Sequence, residues 1–115
     1  MVIINSTEFG SIVIDGKTYP NDVIITWNGE IKEIITAERH LFGMKEFNEI
    51  EKKVPEMIII GTGEGKFMKV SDEVKSTCLQ KRIDLIEIIS KDAIVKFNEN
   101  INNGKKVVAF IHVTC

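Results

Sequence analysis

Hydrophobic and polar positions change their rhythm twice along this chain. Phe9 to Ile14 alternates and reaches Asp15-Gly16, a strong hairpin signal. Lys17-Thr18-Tyr19 returns and is broken by Pro20-Asn21-Asp22. Val23 to Trp27 reads as a short apolar strand, Asn28-Gly29 as a second turn, and Ile31 to Ile35 as the partner strand. The first third is therefore β-rich and antiparallel. Met44, Phe47, Ile50 and Val54 then recur at helical spacing, with Pro55 marking the helix end. Met57 to Ile60 is too short and too β-branched for a helix and has no polar face, the mark of a central strand covered on both sides.

Downstream the pattern alternates strictly. Lys66 to Val70 reads as extended, and Ser71 is an N-cap candidate with Asp72 and Glu73 in the following turn. Val74, Thr77 and Cys78 form the inner face of that helix, and Asp84 to Ile89 the next strand. Ser90 is expected to cap a third helix whose inward stripe is Ala93, Ile94, Phe97 and Ile101, stopped by Gly104. Val107 to His112 is the last strand. Strand, helix, strand, helix, strand from Met57 onward predicts a mainly parallel sheet with helices packed on it.

Composition adds limits. A chain of 115 residues fits one domain, 1–115. Net charge is −2 and the basic runs are only pairs, Lys52-Lys53, Lys81-Arg82 and Lys105-Lys106, so no nucleic-acid partner is expected. No apolar stretch approaches the ~20 residues that span a bilayer, so no membrane insertion is expected. No basic segment followed by an apolar run opens the chain, and two cysteines make no disulfide framework. The expected compartment is the cytoplasm.

Candidate chemistry gathers at the strand-to-loop junction Ile60-Gly61-Thr62-Gly63-Glu64-Gly65. Ligands in α/β sheets sit at such junctions. The G-x-G-x-G spacing is not the dinucleotide fingerprint, the next helix starts too late, and Glu64 opposes a phosphate. The glycines have a structural reading, positive φ and a tight turn. The functional reading is a ligand on the backbone N–H groups of Thr62 and Gly63. Of the two histidines, His112 near the end of the last strand reads as a hydrogen-bonded structural residue or as a general base or donor to an anionic ligand, and His40 in the irregular stretch before the first helix as an exposed loop residue or a functional one. Cys115 lies three residues beyond His112, which puts the two on opposite faces of an extended strand. Cys78 reads as a small core hydrophobe. The His and Cys spacing suits no metal site, and no cofactor is expected.

Several segments together resemble one known family. They are Phe9-Gly10-Ser11-Ile12-Val13-Ile14-Asp15-Gly16-Lys17-Thr18-Tyr19, Ile60-Gly61-Thr62-Gly63, Ala93 with Phe97-Asn98, Gly104, and Ile111-His112-Val113-Thr114-Cys115. In this order they resemble the Mth938-like domain over nearly the whole chain. That family includes small prokaryotic proteins of undetermined function, an adipogenesis-associated human protein and a respiratory complex I assembly factor. The resemblance implies an α/β, three-layer Mth938-like fold, with a central mixed, mostly parallel sheet carrying helices and additional N-terminal antiparallel β structure. It implies no reaction. It points to Gly61, Thr62, Gly63, His40, His112, Thr114 and Cys115 as ligand-binding candidates. Many relatives carry a Trp-Arg pair before the first histidine, whereas here Ile34-Ile35-Thr36 stands there and Arg39 directly precedes His40.

Two functions follow. The leading one is a non-enzymatic binding or assembly module, acting on a protein partner or as a homo-oligomer. The alternative is a small-molecule-binding protein or enzyme with its site at the Gly61 to Gly65 loop. They separate on one point of topology: His112 meets the loop only if the last strand runs parallel to Met57 to Ile60.

Overall fold

The computed structural model describes residues 2–36, 40–65 and 67–113. Its centre is a five-stranded sheet of order β5-β4-β10-β7-β9. The strands are β4 (Val23–Thr26), β5 (Ile31–Glu33), β7 (Met57–Gly61), β9 (Asp84–Ile88) and β10 (Val107–Ile111). β10 and β9 both run parallel to β7, β4 runs antiparallel to β10, and β5 antiparallel to β4. Only β4 therefore points against the other four.

β7 shows why the apolar run was continuous. Met57 and Ile59 pack into one core and Ile58 and Ile60 into the other. A strand covered on one face only would have alternated with polar residues. On one side lie α3 (Ser90–Asn102), through Ala93, Ile94, Phe97 and Ile101, and a separate three-stranded sheet. That sheet is β1 (Ile4–Glu8), β2 (Ser11–Ile14) and β3 (Lys17–Tyr19). Asn98 fastens it to the helix, its side chain bonding both the N–H and the carbonyl of Ile4. On the other side lie α1 (Met44–Glu51) and α2 (Asp72–Lys81). The short parallel pair β6 (Leu41–Phe42) and β8 (Lys69–Val70) adds Phe42 and Val70 to the same core. The three layers agree with the expected fold.

The local signals behave as their chemistry requires. Asp15 and Gly16 both take positive φ, 50° and 81°, the geometry of a tight hairpin turn. Ser71 caps α2, its hydroxyl accepting from the Val74 N–H at 3.2 Å. Gly104, at φ 80°, ends α3.

Four expectations need correction. α1 stops at Glu51, and Val54 is 77% exposed at φ +54° rather than continuing the apolar stripe. Ser90 is not the cap of α3, because Ile89 takes the extended cap position and Ser90 is the first helical residue. Of the extended stretch before α2, only Lys69–Val70 is a strand, and Lys66 lies outside the described residues. β1 was not anticipated, since Ile4-Asn5-Ser6-Thr7-Glu8 carries too few apolar positions to show a period.

Candidate functional site

The register of the sheet builds the site. Glu33, Val23, Ile111, Gly61 and Ile88 form one row across all five strands. The residues one step beyond it are Ile34, Asp22, His112, Thr62 and Ile89. Backbone bonds carry the pairing over that edge: Ile34 N–H to Asp22 carbonyl at 2.9 Å, His112 N–H to Gly61 carbonyl at 3.0 Å, and Thr62 N–H to Ile88 carbonyl at 2.8 Å. Because β10 is parallel to β7, His112 does stand beside the glycine loop.

Asp22 and His112 form the centre of this edge. Nδ1 of His112 lies 2.8 Å from Oδ2 of Asp22, and the Val113 N–H donates to Oδ1 at 2.7 Å. Both side chains are buried; the residues are 7% and 3% exposed. A carboxylate only accepts hydrogen bonds, so the bridging proton sits on Nδ1. In the neutral ring Nε2 is then a bare acceptor. Nε2 is buried and has no hydrogen-bond partner among the described residues. Buried polar atoms are nearly always paired, so this one requires an explanation.

His40 comes to the same place. Its ring stands edge-on to that of His112, with centroids 5.5 Å apart at 80°. His40 itself sits at φ +61°, and its carbonyl accepts from the Lys69 N–H at 2.8 Å, just before the β6–β8 pair. On its other side Phe67 packs with centroids 6.0 Å apart at 33°. Phe67 is folded over the loop, where a Cβ on Gly65 would strike its ring.

The glycine loop is tied to its neighbours through its first two N–H groups. The Thr62 N–H is taken by Ile88, and the Gly63 N–H by the Ser90 hydroxyl at 2.9 Å. A ligand on those two N–H groups would have to replace these bonds. The Ser90 hydroxyl donates in turn to the His112 carbonyl at 2.6 Å, so one buried side chain ties α3 to both the loop and the last strand. Gly61 is needed for close approach, since a Cβ there would lie 2.9 Å from Ser90 Oγ and 3.2 Å from Ala93 Cβ. Of the three glycines only Gly63 is at positive φ.

Gly61, Thr62, Gly63, His40 and His112 are thus brought together at one end of the sheet. Arg39, Thr114 and Cys115 lie outside the described residues. Asp22 and Ser90 were not among the sequence candidates. A carboxylate directly against a buried apolar strand was the available signal for Asp22; Ser90 was assigned a capping role that hid its longer reach. A neighbouring cavity of about 420 Å³ is lined by Thr62, Met68, Lys69, Glu87, Ile89 and Asp92. Among the described residues, no three His, Cys, Asp or Glu side chains cluster as a metal site would require.

Residues 4–112 match the model of a family described as protein of unknown function (DUF498/DUF598). The chain is similar to the solved structure named MT938, at 25% identity and a TM-score of 0.83 over the whole of both chains. It is similar to the conserved hypothetical protein PH1505 from Pyrococcus horikoshii OT3, at 28% identity and a TM-score of 0.84, covering 97% of this chain and 98% of that one. In fold it also matches a Mth938-like domain of Bordetella pertussis, at 11% identity and a TM-score of 0.77 over 97% and 85% of the two chains. No curated protein matches.

Proposed function

The chain belongs to the Mth938-like family, the domain of unknown function DUF498/DUF598, and from that premise we propose that it is a binding protein whose site is the sheet edge built on His112 and Asp22. The observation that carries this reading is the buried His112 ring, held by Asp22 through Nδ1, with Nε2 unpartnered among the described residues. An unpaired buried acceptor costs about 1–3 kcal/mol. A bound group that donates to Nε2 removes that cost, which is a reason for the ring to be held this way. The hydrogen bond to a carboxylate also fixes the ring's orientation, the arrangement found behind ligand-binding histidines. The reading is of binding rather than catalysis: the group beside the His112 ring is a second imidazole, His40, and no nucleophile is seen against either ring among the described residues.

The test is native mass spectrometry of the full chain after gentle purification. Wild type should carry a small-molecule adduct that His112→Asn lacks. The shorter amide side chain can still donate to Asp22 from the Nδ1 position, and the substitution deletes only the Nε2 side. Equal masses beyond the substitution itself would contradict the proposal.

A second reading, the assembly module, draws on a different observation. Phe9, Ile35 and Phe67 are all exposed, Ile35 at 89%. Each adjoins this edge: Phe9 precedes Gly10, whose N–H bonds the Val113 carbonyl; Ile35 follows Ile34, bonded to Asp22; Phe67 packs on His40. Such a collar suits a partner surface. Sedimentation of wild type against Ile35→Asp tests it. Wild type should sediment as more than one chain and the variant as one; two identical monomers would remove the self-association version.

A further inference from the structure

Resting on the small-molecule reading above, we infer that the ligand is an uncharged hydrogen-bond donor on an aromatic or apolar body, a phenol-like hydroxyl being the simplest case, and not a phosphate or carboxylate. The donor requirement comes from the tautomer. Asp22 Oδ2 accepts from Nδ1 at 2.8 Å, so in the neutral ring Nε2 offers a lone pair and no hydrogen. A carboxylate also offers only lone pairs, as does each ionised oxygen of a phosphate, and two acceptors facing each other in a buried space repel.

The usual anion-binding alternative at such a junction is a set of backbone N–H groups. Here the N–H groups nearest the His112 ring are engaged. Thr62 donates to Ile88, Gly63 to Ser90 Oγ, Ser90 to the Gly63 carbonyl, His112 to the Gly61 carbonyl, and Val113 to Asp22. Freeing any of them breaks a bond that holds α3, β9 or β10 in place. The Asp22 carboxylate behind the ring further disfavours a second negative charge at the edge.

The apolar body follows from what surrounds the histidines. The Phe67 ring is half in solvent and lies against His40, which lies against His112. Phe9 and Ile35 stand exposed on the segments bonded to Val113 and Asp22. An aromatic plane can stack on such a surface while its hydroxyl reaches Nε2. A ligand that reaches Nε2 displaces the ring that stands against it, so the His40 resonances should respond together with those of His112.

Four probes separate the possibilities: phenol, toluene, benzoate and inorganic phosphate, each titrated into the ¹⁵N-labelled full chain while the ring nitrogens are followed by NMR. Phenol should shift Nε2 upfield, leave Nδ1 protonated, and bind about tenfold or more tighter than toluene, the factor one satisfied buried hydrogen bond supplies. In His112→Asn, checked for an unchanged fold by its amide spectrum, phenol and toluene should bind alike. Phenol binding no better than toluene in the wild type overturns the donor requirement. Benzoate or phosphate binding tighter than phenol, with Nε2 gaining a proton, overturns the ligand class and leaves the site itself standing. Four probes that move neither ring nitrogen overturn both.

Discussion

At the scale of single residues, Asp22 decides the chemistry of the edge. It holds two partners, the His112 ring and the Val113 N–H. Asp22→Ala orphans both and should cost on the order of 3 kcal/mol in urea unfolding. Asp22→Asn should cost less, because its amide oxygen still serves Val113. Its amide nitrogen then faces Nδ1, which must turn into an acceptor, so His112 should switch to the Nε2–H tautomer and lose its preference for donors. A ring that keeps its tautomer in Asp22→Asn would show that Asp22 does not set it. The surface behaves differently. The Lys32 ammonium, bonding at 3.1 Å, and then the charges of Lys32 and Lys52 hold the Glu49 carboxyl below its usual value. A lowered carboxyl favours the folded state above the ordinary carboxylate range and loses that contribution as pH falls through its folded value. Lys32→Ala should return the Glu49 carboxyl signal toward the ordinary value in a ¹³C titration. Little stability should change at physiological salt, where exposed pairs are screened. None of these partnerships was visible in sequence: Asp22 and His112 are far apart in the chain, and only the β4–β10 pairing joins them.

At the scale of elements, periodicity was informative wherever burial imposed it. β7 and the inward stripes of α2 and α3 were legible because each packs on the core. Legibility failed where a backbone choice overrode the pattern. Val54 continued a helical spacing on paper, yet the chain leaves the helix after Glu51 and turns with Val54 in the left-handed region. A β-branched residue is poorly suited there. Val54→Asn should therefore stabilise the protein by about 0.5–1 kcal/mol, read as a raised urea midpoint with unchanged slope; a lowered midpoint would mean that Val54 makes a contact its exposure does not suggest. β1, β6 and β8 were illegible for a different reason. They are short, and their existence depends on partners elsewhere in the chain. The junction of α3 with the glycine loop gives a sharper test. Gly61→Ala would press a methyl against Ser90 and Ala93, at a cost of about 1–3 kcal/mol. Gly61→Ala in a Ser90→Ala background should recover part of that loss in thermal unfolding, since the 2.9 Å contact is with the hydroxyl. No recovery would place the clash on the helix backbone instead.

At the scale of the whole molecule, the fold delivers one thing to function: a single row of strand ends where chain segments far apart in sequence meet. The parallel direction of β10 against β7 brings His112 to the glycine loop, and the reversed β4 brings the start of that strand, hence Asp22, to the same edge. Element order predicts parallel strands from Met57 onward, but the row that sets Asp22 beside His112 comes only from the register of β4 against β10. That register moves the centre of interest from the loop to the histidine. The N–H groups of Thr62 and Gly63 go to β9 and α3, while Nε2 of His112 is unpartnered among the described residues. The long-range ¹H–¹⁵N spectrum of the His112 ring in the ligand-free full chain tests this most directly. A protonated Nδ1 with a bare Nε2, locked in one tautomer, is the predicted result. A protonated Nε2, or a ring averaging between tautomers as an exposed histidine does, would contradict it.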